Sequence, residues 1–138
     1  MYQPPVMPGA YPMNDAQDAA QNKTMAILAY LGILVLIPLF SAKESKFARY
    51  HTNQGLILAI VEVIYSIVSN IISSAIISSV IDSGRWLYSG SLGGWGIVTA
   101  LLGLIWIAFL AFSIIGILNA VNGRCKPLPF IGNITLLR

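Results

Sequence analysis

Three long apolar runs constrain this chain most, because a helix needs about 20 apolar residues to cross the hydrocarbon core of a bilayer. The runs occupy residues 24–40, 56–81 and 95–120 of the 138-residue sequence. Only 9% of the residues are charged, whereas soluble domains carry about 25%. We therefore predict an all-α, polytopic membrane protein with about three transmembrane helices. A break in the second or third run, which would give four crossings, stays open.

The first 22 residues differ from the rest of the chain. They begin MYQPPVMPGAYPM, with four prolines among the first twelve residues. They also lack the charged start and apolar stretch of a secretory signal. We interpret residues 1–22 as a disordered, Pro-rich arm. Residues 23–138 are then one helical membrane domain that ends in a tail at 121–138.

Lysine and arginine are distributed unevenly, and this predicts an orientation. Three lie in the loop 41–55 and three in the tail, but only one lies near the N-terminus and one in the loop 82–94. With three crossings, the positive-inside rule places the N-terminus outside and the C-terminus in the cytoplasm of a bacterial inner (plasma) membrane. We expect the cations of the first loop to contact anionic lipid headgroups; they are Lys43, Lys46 and Arg49.

The polar stretch KFARYHTNQG, residues 46–55, stands at the entrance to the second run. Helical spacing places Lys46, Arg49 and Asn53 on one face. The other face carries Phe47, Tyr50, His51 and Gln54. We predict a short amphipathic cytoplasmic helix here, lying in the headgroup layer before the second transmembrane helix.

Glu62 lies about two turns inside the second run, where an ionisable group is costly unless it is paired or hydrated. The helical period puts it on one stripe with His51 and several serines. The stripe is either a packing seam between helices or a path for a proton, an ion or an extended peptide. The predicted polar intramembrane and entry cluster comprises His51, Asn53, Gln54, Glu62, Asn119 and Asn122.

Catalytic chemistry has little support in the sequence. There is one histidine and one cysteine, Cys125, and there is no HExxH, CxxC or Gly-rich phosphate loop. The net charge of +3 comes from cations scattered beside apolar runs, not from a nucleic-acid-binding patch. We predict a protein that is not an enzyme, with no metal, cofactor or nucleic-acid partner. Its expected partners are the lipid bilayer and either further copies of itself or other membrane proteins.

Two motifs resemble those of small bacterial membrane proteins of the Tic-twenty-like group, named for a component of the chloroplast inner-envelope import translocon. The resemblance covers residues 23–138. The first motif, KFARYHTNQGLIL, matches at Phe47, His51, Asn53, Gln54 and Gly55. The second, GILNAVNGRCKPLPFIG, matches at Asn119, Gly123, Lys126, Pro127 and Pro129.

This resemblance implies a helical inner-membrane protein without catalytic residues. The plastid relatives are proposed to be four-span, channel-forming import subunits, one span more than the number predicted for this chain. We expect a non-enzymatic scaffold or accessory subunit that acts through helix–helix contacts. The alternative is a component of a translocation or permeation path, with His51 and Glu62 at its cytoplasmic mouth. A stress or immunity-type protein that protects the bilayer is a third hypothesis.

Overall fold

The computed structural model describes residues 16–82 and 90–137, and within these ranges the chain is helical without strands. The predicted all-α class is confirmed. The chain divides into two compact units. The first unit contains the described residues up to Ile60 and those from Ala111 onward, and the second unit runs from Val61 to Leu110. The helices are α1 (Ala16–Gln21), α2 (Lys23–Leu28), α3 (Leu36–Ser41), α4 (Lys46–Asp82) and α5 (Gly90–Val121), with a 3₁₀ turn at Gly32–Val35.

Most of the predicted disordered arm, residues 1–15, lies outside the described residues. The described end of that segment, Ala16–Gln21, is helix α1. Ala19 of α1 is buried in one apolar cluster with Ala26, Phe47 and Ala120. Residues from both ends of the chain therefore share the core of the first unit.

The first apolar run, 24–40, does not form a transmembrane helix, and the prediction of three crossing helices is not confirmed. The run is divided between α2, a turn, the 3₁₀ turn and α3. Gly32 breaks it with a left-handed φ of 60°, which glycine adopts without a Cβ penalty. The longest apolar helical piece, Gly32–Ser41, is far shorter than the length needed to cross.

Helices α4 and α5 are long and apolar enough to cross a membrane. They contain 37 and 32 residues, which correspond to about 55 and 48 Å. Their most apolar stretches are only 22% and 11% buried, so neither helix has the environment of a core helix in a soluble protein. Each helix runs without interruption through its described residues, and the structure therefore shows two candidate crossings.

The predicted separate amphipathic helix before the second run is wrong, because α4 begins at Lys46 and continues directly into the apolar stretch. Its first three turns contribute to the core of the first unit, where Phe47, His51 and Gln54 are almost completely buried, while Lys46 stays exposed. Asn53, which helical spacing placed on the polar face, is buried as well.

Two side-chain oxygens cap the start of α4. Ser45 Oγ accepts a hydrogen bond from the Ala48 N–H at 3.0 Å, as an N-cap serine does. Asp18 Oδ2, from α1, accepts one from the Phe47 N–H, also at 3.0 Å. The negative carboxylate also interacts favourably with the positive end of the helix dipole. The cap thus joins α1 to the first turn of α4.

Gly55 allows α4 to approach the first apolar run closely. A Cβ at this position would overlap the carbonyl group of Ala29, and a backbone group cannot move aside as a flexible side chain can. The contact thus packs the first apolar run directly against α4 within the first unit.

We expect Gly55→Ala to lower the free energy of unfolding by about 1–3 kcal/mol, the usual cost of overpacking. Thermal unfolding of the detergent-purified protein measures this. The matched control is Gly103→Ala in α5, because nothing lies within 4 Å of a Cβ there. Equal effects of the two substitutions would show that the Gly55 contact does not limit the packing.

Candidate functional site

The most enclosed polar group of the first unit is the imidazole of His51, which has no exposed surface. Its Nδ1 lies 2.9 Å from the hydroxyl of Tyr30. Three aromatic rings contact it edge-on, with centroid distances of 4.7 Å for Phe47, 5.4 Å for Tyr50 and 5.7 Å for Tyr30. The ring is therefore held in one orientation by both packing and a hydrogen bond.

The second nitrogen of His51 faces the end of the chain. Its Nε2 lies 4.0 Å from Sγ of Cys125, a residue that is partly buried. Burial disfavours the thiolate and, together with the negative charge of Asp18, raises the pKa of Cys125 to about 12. The thiol is therefore protonated at neutral pH, which does not suit a nucleophile.

Tyr30 lies between α4 and α5 within the first unit. A Cβ at Gly116 of α5 would overlap the Tyr30 ring, while the Tyr30 hydroxyl reaches His51 on α4. Hydropathy did not predict the role of Tyr30, because a transmembrane helix over residues 24–40 would make its side chains lipid-facing. A tyrosine in the middle of an apolar run is a signal that could have identified it, since a buried phenol needs a hydrogen-bond partner.

Asn53 fastens the tail, residues 122–137, to α4. Its Nδ2 donates to the carbonyl of Ile134 at 2.7 Å. Its Oδ1 accepts hydrogen bonds from the N–H groups of Leu136, at 2.6 Å, and Leu137, at 3.0 Å. One amide side chain therefore supplies three hydrogen bonds to a segment more than eighty residues away in sequence.

Gln54 makes a second connection to the tail. Its Oε1 accepts a hydrogen bond from the N–H of Leu128 at 3.1 Å, and the Leu128 side chain is buried. Arg124 follows the C-terminal end of α5, where its N–H donates to the carbonyl of Asn119. Two neighbouring amide side chains of α4 thus bind two different parts of the tail: Gln54 binds it at Leu128, and Asn53 binds it near its end.

The remaining members of the predicted polar cluster do not join this arrangement. Asn119 is partly buried in α5, and Asn122 is exposed, with its amide donating to Leu118 of its own helix at 2.7 Å. Glu62 belongs to the second unit. Among the described residues, its carboxylate has no hydrogen bond or ion pair. The structure therefore brings together His51, Asn53 and Gln54, whereas the other three residues remain candidates from sequence alone.

The polar residues of the second unit bond mainly within α4. Ser69 and Asn70 both donate to the carbonyl of Ser66, at 3.1 and 2.6 Å. One interhelical hydrogen bond joins Tyr65 to the carbonyl of Leu102 at 2.6 Å. The Tyr65 ring also packs edge-on against Trp106 and Phe109 of α5, an aromatic contact that the helical period of either run does not predict.

The three cations near the start of α4 differ in their exposure. Lys43 and Lys46 are exposed, and Arg49 is partly buried. Lys43 and Arg49 line the same cleft of the first unit. Within residues 16–82 and 90–137, no three side chains of the types His, Cys, Asp and Glu lie close enough together to hold a metal ion.

We expect Asn53→Leu to release the end of the tail and to destabilise the protein by about 2–4 kcal/mol, since each lost bond contributes about 1 kcal/mol. Limited proteolysis of the tail and thermal unfolding measure the two effects. Asn122→Leu is the control, because that exposed amide bonds only to its own helix. An unchanged proteolysis rate for Asn53→Leu would contradict the role of this side chain.

The cap of α4 predicts a pH dependence. Partial burial of Asp18 opposes ionisation, but hydrogen bonds from Ser45, the Phe47 N–H and Asn22 outweigh it and lower the pKa below its ordinary value of 3.8. A lowered pKa stabilises the folded state above the unfolded-state value, and this stabilisation is lost as the pH falls through the folded-state value.

We therefore expect the difference in melting temperature between the natural chain and Asp18→Asn to be constant from neutral pH to about pH 5 and to shrink below about pH 4. Thermal unfolding at a series of pH values measures it. Glu44→Gln removes an exposed carboxylate from the turn before α4 and is the control. A difference that grows on acidification would contradict the cap.

Comparison with known proteins identifies relatives of this chain. The model of the magnetosome magnetite crystal formation protein family matches residues 21–135. The magnetosome protein MmsF of Paramagnetospirillum magneticum is 27% identical over 112 residues, which cover 81% of this chain and 83% of MmsF. The magnetosome protein MamF of the same organism is 26% identical, and the match covers 78% of this chain and 77% of that protein. MamF of Magnetospirillum gryphiswaldense is 24% identical, and the match covers 82% of this chain and 81% of that protein. No solved structure matches the chain.

These findings correct the resemblance drawn from the two motifs. The matching family and the curated relatives are magnetosome proteins, and none is of the Tic-twenty-like group. The function inferred from that resemblance, a scaffold or accessory subunit or a component of a translocation path, is therefore wrong. The family match extends over α2 to α5 and most of the tail, and it shows that the chain belongs to the magnetosome magnetite crystal formation protein family.

Proposed function

We propose that this chain is a membrane-embedded protein that takes part in the formation of magnetite crystals in a magnetosome. The observation that carries the proposal is the family match over residues 21–135. It includes the buried core of the first unit as well as both long helices. The three relatives are covered over roughly the same share of their own length, so the likeness concerns whole proteins and not one shared motif.

The membrane embedding is supported by the surface of the two long helices. Their apolar side chains are largely exposed, including Ile67 at 56% and Ile107 at 62%. Such a surface is unfavourable in water and favourable in lipid. α4 and α5 would therefore be the crossing helices, and the bilayer would be the partner that covers them.

An even number of crossings changes the predicted orientation. Ala19 near the N-terminus and Ala120 at the end of α5 share one apolar cluster, so both ends of the described chain would lie on the same side of the membrane. All six lysine and arginine residues among the described residues belong to the first unit. The positive-inside rule therefore favours a cytoplasmic first unit.

The first unit is the part that would contact soluble components or the membrane surface. Its core holds the His51–Tyr30 pair and the amides that bind the tail. Its exposed residues carry most of the cations. We infer that the role in crystal formation depends on an intact first unit and not on the membrane helices alone.

Complementation tests this proposal. A Paramagnetospirillum magneticum strain without MmsF would express this chain, and electron microscopy would measure the lengths of its crystals. We expect the lengths to shift towards those of the parent strain, with the chain recovered in purified magnetosome membranes. Gly116→Leu, which displaces Tyr30 from the first unit, should fail to restore crystal length.

Gly103→Leu is the matched control in the same helix, since a Cβ there meets nothing within 4 Å, and it should act like the natural chain. Crystal lengths that stay at those of the deletion strain, although the natural chain is inserted in magnetosome membranes, would contradict the role in crystal formation. Recovery of the purified chain in solution without detergent would contradict the membrane embedding.

A further inference from the structure

A cleft of about 300 Å³ opens in the first unit between α3, the turn that follows it and the start of α4. Its walls are of two kinds. One is apolar and consists of Pro38, Leu39, Phe40 and Leu137, and the other carries the cations Lys43 and Arg49. A site with these two walls fits a molecule whose anionic group is attached directly to hydrocarbon.

The cationic wall suits a phosphate group. Lys43 presents an ammonium that is largely exposed, and Arg49 presents a guanidinium that is partly buried. A guanidinium can bind two phosphate oxygens at once, and a lysine adds a point charge beside it. The charged side chains among the described lining residues are Lys43 and Arg49, and the cationic wall is therefore complementary to an anion.

The cleft lies at the right depth for a membrane lipid. Arg49 precedes the apolar stretch of α4, which begins at Leu56, by seven residues. Seven helical residues span about 10 Å, and the headgroup layer of a bilayer is about 5–8 Å thick on each side. Ile57 and Leu58 are buried in the first unit, so this stretch can begin in the hydrocarbon only if part of the first unit enters the interface. In that placement the guanidinium lies at the level of the phosphates or just outside it.

The apolar wall continues onto a surface that suits acyl chains. Phe40 is 68% exposed and Ile33 is 78% exposed. Both belong to the apolar segment Gly32–Ser41, which is too short to cross the bilayer. Such a segment is stable in the membrane interface, where its apolar side chains reach the hydrocarbon while its ends stay among the headgroups.

We propose that this cleft binds one anionic glycerophospholipid of the surrounding membrane. Its phosphate contacts Lys43 and Arg49, and one acyl chain lies along Leu39 and Phe40. The bound lipid also contacts Leu137, so it joins α3 to the end of the tail that Asn53 holds. The proposal depends on the membrane embedding proposed above but not on the role in crystal formation.

Native mass spectrometry of the detergent-purified full chain tests the site. The probes are phosphatidylglycerol and phosphatidylcholine with identical acyl chains, titrated separately. We expect phosphatidylglycerol to bind at least tenfold more tightly. The affinity of the Lys43→Gln/Arg49→Gln double variant for phosphatidylglycerol should be about 25-fold lower. This value assumes that each removed cation lowers the affinity about fivefold.

A second double variant separates a site from a general effect of net charge. Lys23→Gln/Lys126→Gln removes the same number of charges from two exposed positions that do not line the cleft, and it should bind phosphatidylglycerol like the natural chain. Equal loss in both double variants, or equal binding of the two lipids by the natural chain, would overturn the proposal.

Arg49 also takes part in interactions within the protein, so thermal unfolding accompanies each titration. If the cleft double variant is not folded, Lys43→Gln alone decides: a fivefold loss supports the site, and unchanged affinity overturns it.

Phe40→Ser adds a test of the apolar wall, because it should weaken binding of a long-chain phosphatidylglycerol more than that of a short-chain one. None of these results depends on the crystal measurements, so the two proposals fail separately.

Discussion

The close approach of α4 to the first apolar run, where Gly55 meets the carbonyl of Ala29, constrains the packing of the first unit. Residues 24–40 are part of this unit, although their composition alone suits a membrane helix. Two candidate crossing helices then remain instead of three. The tail meets residues at the start of α4, and the two crossings proposed above would be consistent with that contact, because an even number returns the chain to the side on which it began.

Buried polar side chains make this arrangement specific. A hydrogen bond contributes only about 1 kcal/mol net, but a buried donor or acceptor without a partner costs about 1–3 kcal/mol. Asn53 and Gln54 satisfy N–H groups of the tail, and His51 satisfies the hydroxyl of Tyr30. A different course of the tail or of the first run would leave several of these groups unbonded. The apolar contacts favour collapse, and the polar contacts select one packing.

The helical period grouped Phe47, Tyr50, His51 and Gln54 on one face, and all four are buried, but it predicted a helix in the headgroup layer and not one packed into a protein core. It could not predict that Asn53, on the opposite side, is buried too. That burial comes from a tail more than eighty residues further along the chain, and local spacing carries no information about such a contact. The same limit applies to Tyr30 and to the break at Gly32, since hydropathy does not distinguish a segment wrapped around protein from one that faces lipid.

Charge acts at two levels in this chain, and they have different physical consequences. The excess of cations at one end is a property of the whole sequence, and any lysine or arginine there contributes to orientation. The pairing of Lys43 and Arg49 at one cleft is local and depends on α3 and α4 holding the two positions together. Orientation therefore tolerates moving a cation along the chain, whereas recognition of a single lipid headgroup does not. With the orientation and the lipid site proposed above, a chain with the same net charge but a displaced cleft cation would insert the same way and lose the lipid.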